Sequence, residues 1–105
     1  MSKINIFQGA VPNATTAVFT AGIDTTIDAA SVCNTTAGAV NLSVWLDPVG
    51  AAAANANKLY DLLVVPANSQ VALSLLINQA VPRTGKIYLL ASAATSLTVI
   101  MAGRN

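Results

Sequence analysis

Apolar and polar residues alternate with a period of two along much of this chain. Val40, Leu42, Val44 and Leu46 fall on one side of a run, and Asn41, Ser43, Trp45 and Asp47 on the other. Val71, Leu73, Leu75 and Ile77 alternate with Ala72, Ser74 and Leu76. Ile87, Leu89 and Ala91 alternate with Tyr88 and Leu90, and Leu97, Val99 and Met101 with Thr98 and Ile100. A two-residue repeat places successive side chains on opposite faces of a β-strand. Earlier candidates are Ile4–Phe7, Thr15–Thr20 and Thr26–Cys33. Lys58–Val65 is apolar on both faces apart from Lys58 and Asp61, the pattern of a strand covered on both sides.

The breaks between these runs are turn chemistry. "NTTAG" (Asn34–Gly38), "DPVG" (Asp47–Gly50), "PANS" (Pro66–Ser69) and "PRTG" (Pro82–Gly85) supply the Gly, Pro, Asn and Asp that tight turns need. About eight short strands recur at this spacing, which predicts an all-β, antiparallel β-sandwich or jelly-roll-like fold. The predicted interior is Val40, Leu42, Val44, Leu46, Val71, Leu73, Leu75, Leu97 and Val99. The chain reads as a single domain, with residues 1–25 as an N-terminal arm and first strands and 26–105 as the sandwich core. Ala51–Ala56 has the propensity for one helical turn, but the flanking Gly and Asn favour a loop. Ile87 to Gly103 runs 17 residues without a charge, near the lower limit for a membrane helix. "SAATS" interrupts it, and a two-strand hairpin accounts for it better.

Composition changes this picture at the surface. Charged residues are 9% of the chain, with no Glu and no His, and 20 of the 105 residues are alanine. A typical soluble domain carries roughly 25% charge. A surface of Ala, Thr, Ser and Asn associates easily, so much of it is expected to be covered by other protein. Trp45, Leu76, Leu90 and Ile100 lie opposite the main apolar stripes; they are candidates for that contact, the alternative being cover by a second layer or a long loop of the same chain. The net charge of +1 and the dispersed Lys3, Lys58, Arg83, Lys86 and Arg104 argue against nucleic acid. Cys33 is alone and is expected as a small buried apolar side chain. No apolar h-region marks the N-terminus as a signal peptide.

Candidate chemistry is sparse. Without His, Ser–His–Asp and Cys–His arrangements are excluded, though Lys variants are not. One Cys and no His leave no zinc ligand set, and "DTTID" lacks the oxygen ligands of a calcium loop. No cofactor motif is found, and no catalytic residue is assigned. Asp24, Asp28, Asp47 and Asp61 read as turn or edge residues. Asn13, Asn34 and Asn41 begin Asn-x-Ser/Thr triplets that composition alone explains. An outer-membrane barrel would need aromatic girdles, and aromatics are 5%.

The run "SVCNTTAGAVNLSVWLDPVG" followed by "NKLYDLLVVPANSQVALSLL" resembles a small β-sandwich module of tailed-bacteriophage structural proteins. In that group a strand ending in "VCNT" leads to "VSVWL"-like residues, a loop, "LYD", a Pro-Ala turn and a hairpin opening with "AS". The matching positions are Val32–Thr35, Leu42–Leu46, Leu59–Asp61, Pro66–Ala67 and Ala91–Ser92. The likeness spans Thr26 to Gly103; "AVPRTGKIYLL" stands where an acidic turn is expected, and Met1–Thr25 has no match.

The resemblance implies a virion structural protein assembled in the host cytoplasm, as head decoration (cement), head fibre, or tail or baseplate part. It implies a homo-oligomer, a trimer by preference, meeting the major capsid protein or other virion proteins, with no membrane and no nucleic acid as partner. The expected contact residues are Ile4, Ile6, Phe7, Trp45, Ala52, Ala53, Asn55, Leu76 and Leu90. The uncharged Pro48–Asn57 loop would let another backbone approach without desolvating charge. A carbohydrate-binding tail module is the rival, resting on Trp45, Tyr60 and Tyr88. A small enzyme using Asp and Lys is the third reading.

Overall fold

A computed structural model describes residues 2–50 and 52–105 of the chain. The strands are β1 (Lys3–Ala10), β2 (Thr16–Thr20), β3 (Thr25–Asn34), β4 (Val40–Asp47), β5 (Lys58–Val65), β6 (Ser69–Ala72), β7 (Ala80–Val81), β8 (Lys86–Ala91) and β9 (Leu97–Arg104). Short 3-10 turns occupy Asn55–Asn57 and Ser74–Leu76. The first sheet has the order β1-β9-β3-β6, with β7 also paired to β3, and the second the order β2-β8-β4-β5. Every pairing is antiparallel. The fold is the predicted antiparallel β-sandwich.

The two strand orders correspond place by place: β1 with β2, β9 with β8, β3 with β4 and β6 with β5. Each of these pairs is joined by one short loop (11–15, 92–96, 35–39 and 66–68), and all four loops lie at one end of the sandwich. The chain therefore passes repeatedly from sheet to sheet as arches. The segment from Ile87 to Gly103 is such an arch and not the expected hairpin, since β8 and β9 belong to different sheets. Both forms use a short polar loop, so loop chemistry does not separate them.

Between the sheets lies one apolar cluster that includes Val32, Leu42, Val44, Leu73, Leu76, Ile87, Leu89, Leu97, Val99 and Met101. Leu46 and Val71 are half-buried against it. Leu75 was expected inside and is instead 54% exposed, while Leu76, expected on the surface, is fully buried. The cause is local. Leu73 leaves the β region (φ −89°, ψ 69°), and Leu76 N–H donates to the Leu73 carbonyl at 3.0 Å. A three-residue turn replaces the two-residue repeat, so positions 73 and 76 face the core together.

Residues 3–20 supply the first strands of the sandwich. β1 pairs along its length with β9, and β2 with β8. Ile6 is a core residue, and Ile4 and Phe7 pack against it, so Ile6 is withdrawn from the surface and the other two are half withdrawn. The 25/26 division falls at the start of β3. Cys33, expected buried, is half-exposed on the side of β3 opposite to Val32 and Asn34.

Gly103 shows how closely the first sheet is packed. A Cβ there would stand 2.2 Å from the Thr26 carbonyl oxygen and 2.7 Å from Ile6 Cδ1. Only the absence of a side chain allows β3 and β9 to pair at this point.

Candidate functional site

The outer face of the second sheet carries most of the predicted contact residues, and it is covered unevenly. β4 is central, between β8 and β5. Its outward residues Ser43, Trp45 and Asp47 are buried although they point away from the core. Sequence reasoning expected double coverage for β5; β4 has it instead.

Three local arrangements supply this cover. Lys58 begins β5 beside Trp45, and its ammonium stands over the ring, 5.0 Å from the centroid. Asp47 accepts hydrogen bonds from Val49 N–H at 3.1 Å and Ala52 N–H at 2.7 Å, so the loop after β4 folds back on its carboxylate. Ser43 Oγ accepts the Leu62 N–H at 3.1 Å.

This last bond coincides with a break in β5. The register with β4 shifts between Leu42/Leu63 and Val44/Tyr60, and Leu62 sits in the left-handed region at φ 54°. The bulge turns Leu62 outward. Leu62 and Val64 are 56% and 57% exposed, so β5 is an edge strand with an open outer face. Beside them lies a depression of about 190 Å³ lined by Asn41, Ser43, Leu62, Leu90 and Ser92 among others. No charged side chain lines it.

Of the remaining predicted residues, Leu90 is half-buried at this depression, and Trp45 is too covered to present its ring. Ala52 and Asn55 are exposed and Ala53 half-exposed, but they belong to the loop after β4, at the far end from the four arches. The predicted set therefore does not form one site. Leu62 and Val64 were missed because an unbroken "DLLVVP" reads as a buried strand. Asn34 was passed over as a chance triplet. It is fully buried and holds the 34–38 turn to the Val65 carbonyl.

The charged side chains are segregated. Lys3, Asp28 and Arg104 meet where β1 and β3 begin and β9 ends. Asp24 accepts the Arg83 N–H at 2.8 Å in the turn region that leads to β8. Asp47 and Lys86 are register partners at the same end. Lys58 pairs with Asp61 at 2.7 Å, nearer the middle of the sheet. The four arch loops carry no charged residue. They are tied to each other and to the strand ends by Val11 N–H to Leu97 O, Ala91 N–H to Pro12 O, Thr35 N–H to Ser96 O and Asn68 N–H to Thr36 O.

The Lys3 hydrogen bond, aided by the charge of Arg104, holds the Asp28 carboxyl below its ordinary value of 3.8, against partial desolvation that raises it. Among the described residues, no three His, Cys, Asp or Glu come together as a metal-binding group. A recess of about 280 Å³ lies at the charged end between Asp24, Thr26, Val81 and Arg104. Among the described residues, no helix is long and apolar enough to cross a membrane. No family model matches the chain, nor does any curated protein or solved structure.

Proposed function

We propose that this chain is a non-catalytic structural module of a tailed-bacteriophage particle, acting as a capsid decoration protein through protein–protein contacts. One observation carries the reading: an entire end of the sandwich, formed by four hydrogen-bonded arch loops, bears no charged side chain. Packing such an end against another protein desolvates amides and hydroxyls that find hydrogen-bond partners readily. It buries no unpaired charge, whose cost would be several-fold higher. The loops are fixed in advance by backbone bonds, so little ordering entropy opposes binding. The same economy of charge suits repeated contacts between copies, and the likeness of Val32–Thr35 and Leu42–Leu46 to phage framework motifs points to a virion and to a homo-oligomer, a trimer by preference.

Electrostatics support a protein partner over nucleic acid. Lys3 and Arg104 pair with Asp28, and Lys58 with Asp61, so among the described residues most of the few cations are already matched and Arg83 and Lys86 are too few to displace many counterions. The glycan-binding alternative loses its best platform, because Trp45 is covered by Lys58 and Tyr60 Oη is engaged with Leu75 N–H at 2.9 Å.

Cryo-electron microscopy of the parent particle tests the proposal. Density for this sandwich is expected at regular positions on the head, with its uncharged arch loops against a neighbouring subunit. Its absence from purified particles, or a location on the tail tip, would overturn the assignment to decoration.

A further inference from the structure

We infer that the recess at the charged end, between Asp24 and Arg104, binds a small zwitterion: an α-amino acid with a short aliphatic side chain. It lies at the end of the sandwich away from the arch loops, and binding there is independent of any contact those loops make.

Three adjoining strands build it. Thr26 on β3 is the register partner of Arg104 on β9 and of Ala80 on β7. Directly paired residues share a face, so these three form a row across the first sheet. With neighbouring strands about 4.8 Å apart, Arg104 and Ala80 start roughly 10 Å from each other, and the Thr26 hydroxyl stands between them. Asp24 precedes β3 and accepts the Arg83 N–H through Oδ1 at 2.8 Å, which ties its carboxylate to the turn that follows β7. The cation therefore comes from the β9 side of the recess and the anion from the β7 side. The exposed Ala80 and Pro82 supply apolar lining.

The polar groups here have capacity to spare. Arg104 Nε is 3.6 Å from Asp28, beyond hydrogen-bond range, and Asp28 already takes the Lys3 ammonium at 2.8 Å. Among the described residues, no side-chain hydrogen bond engages the Arg104 guanidinium, the Thr26 hydroxyl or Asp24 Oδ2. A guanidinium fork matches a carboxylate, and Asp24 Oδ2 is an acceptor for an ammonium. Charge selects the occupant. The lining side chains hold one cation and one anion, which sum to zero but come from opposite sides. A phosphate would meet Asp24, a simple amine would meet Arg104, and an apolar molecule would desolvate both. No aromatic ring lines the recess for a nucleobase to stack on. A zwitterion answers each charge with its opposite. Size narrows the class: about 280 Å³ falls short of the pockets that hold drug-sized ligands. An amino acid with a short aliphatic side chain against Ala80 and Pro82 fits that space.

Amide chemical shifts of the nitrogen-15-labelled full chain test the site with three related probes: L-valine, isovalerate, which lacks the ammonium, and isobutylamine, which lacks the carboxylate. L-Valine is expected to shift the Thr25, Thr26, Val81 and Arg104 amides saturably, and the other two to bind about tenfold more weakly or worse. Arg104→Gln should weaken valine binding by about tenfold or more. Asp24→Asn keeps the Oδ1 acceptor for Arg83 and should bring valine and isovalerate within about twofold of each other. Asp28→Asn removes the carboxylate that competes for Arg104 and should tighten valine binding. Lys86→Gln, in the neighbouring recess beyond Ala80 and Pro82, should leave it unchanged. Isovalerate binding as tightly as valine to wild type would overturn the zwitterion, and that comparison decides even if Arg104→Gln does not fold. Valine shifts that survive Arg104→Gln, or none that saturate up to roughly 100 mM valine, would overturn the site.

Discussion

Asn34 donates from Nδ2 to the Val65 carbonyl at 3.0 Å and thereby ties the first sheet to the second at the uncharged end. The same amide donates to the Gly38 carbonyl at 2.9 Å, and its Oδ1 accepts from Thr36 N–H at 2.9 Å and from the Thr36 hydroxyl at 2.7 Å. One buried side chain thus organises the β3–β4 arch and anchors the end of β5. Asn34→Ala would leave several of these groups unpaired, at a cost on the order of 3 kcal/mol. Asn34→Asp should be no better, since it replaces the donor with an acceptor facing two carbonyls. Urea denaturation of the three proteins checks the ranking. A loss below about 0.5 kcal/mol for both variants would show that water replaces the bracket.

The 3-10 turn at Ser74–Leu76 predicts an inversion of neighbours. Leu76→Ala should cost about 2–5 kcal/mol and Leu75→Ala about 0.5 kcal/mol or less in the isolated chain. A continuous strand would give the reverse order. Thermal denaturation of the pair decides between them.

That inversion marks where the sequence stopped being informative. The faces of β4, β8 and β9 were readable because each alternates over six to eight residues with turn chemistry at both ends. "VALSLLI" fits a two-residue and a three-residue repeat equally, so Leu75 and Leu76 exchanged places. The apolar run of β5 resembled a doubly covered strand because edge position is decided by pairing partners distant in sequence. The burial of Trp45 was foreseeable in outline, but its cover, Lys58, comes from the far side of an uncharged loop. The open patch at Leu62 depends on a bulge and a serine hydroxyl, for which no local residue signal exists.

Gly103 offers a packing test. Gly103→Ala places a methyl group against the Thr26 carbonyl, and separating β3 from β9 to admit it should cost about 1–3 kcal/mol or more. Gly22→Ala has nothing within 4 Å of the new methyl group and serves as the control. Equal melting temperatures for the two variants would show that the sheet relaxes freely at this point.

Asp28 contributes an acid dependence to the stability. Its carboxyl is lowered from 3.8 chiefly by the Lys3 hydrogen bond, so the folded state holds its proton less tightly than the unfolded chain. The sign follows: the contribution is complete above 3.8 and is lost as pH falls through the lower, folded-state value. Wild type should therefore melt above Asp28→Asn at pH 7, and the gap should close in strong acid. High salt should narrow it, because the Lys3 side chain is 78% exposed. A gap that stays constant with pH would mean that the amide substitution acts by packing alone.

Trp45 reports on the cover over β4. It is the chain's sole tryptophan, 7% exposed yet outside the inter-sheet cluster, with the Lys58 ammonium over its ring. Its emission should be blue-shifted in the native state. Lys58→Ala removes both stem and charge and should shift the emission to the red without unfolding the sandwich. Lys58→Met keeps an apolar stem and should restore the part of the shift that the stem, and not the charge, supplies. Trp45→Ala removes the ring itself and should cost about 3–5 kcal/mol. The two Lys58 variants separate burial from the cation–π attraction, which at a partly exposed site contributes roughly 0.5–1 kcal/mol. If Lys58→Ala leaves the emission unchanged, the indole is sheltered by the loop after β4 instead, and the stability of Asp47→Asn, which weakens the tether to Ala52, becomes the deciding measurement.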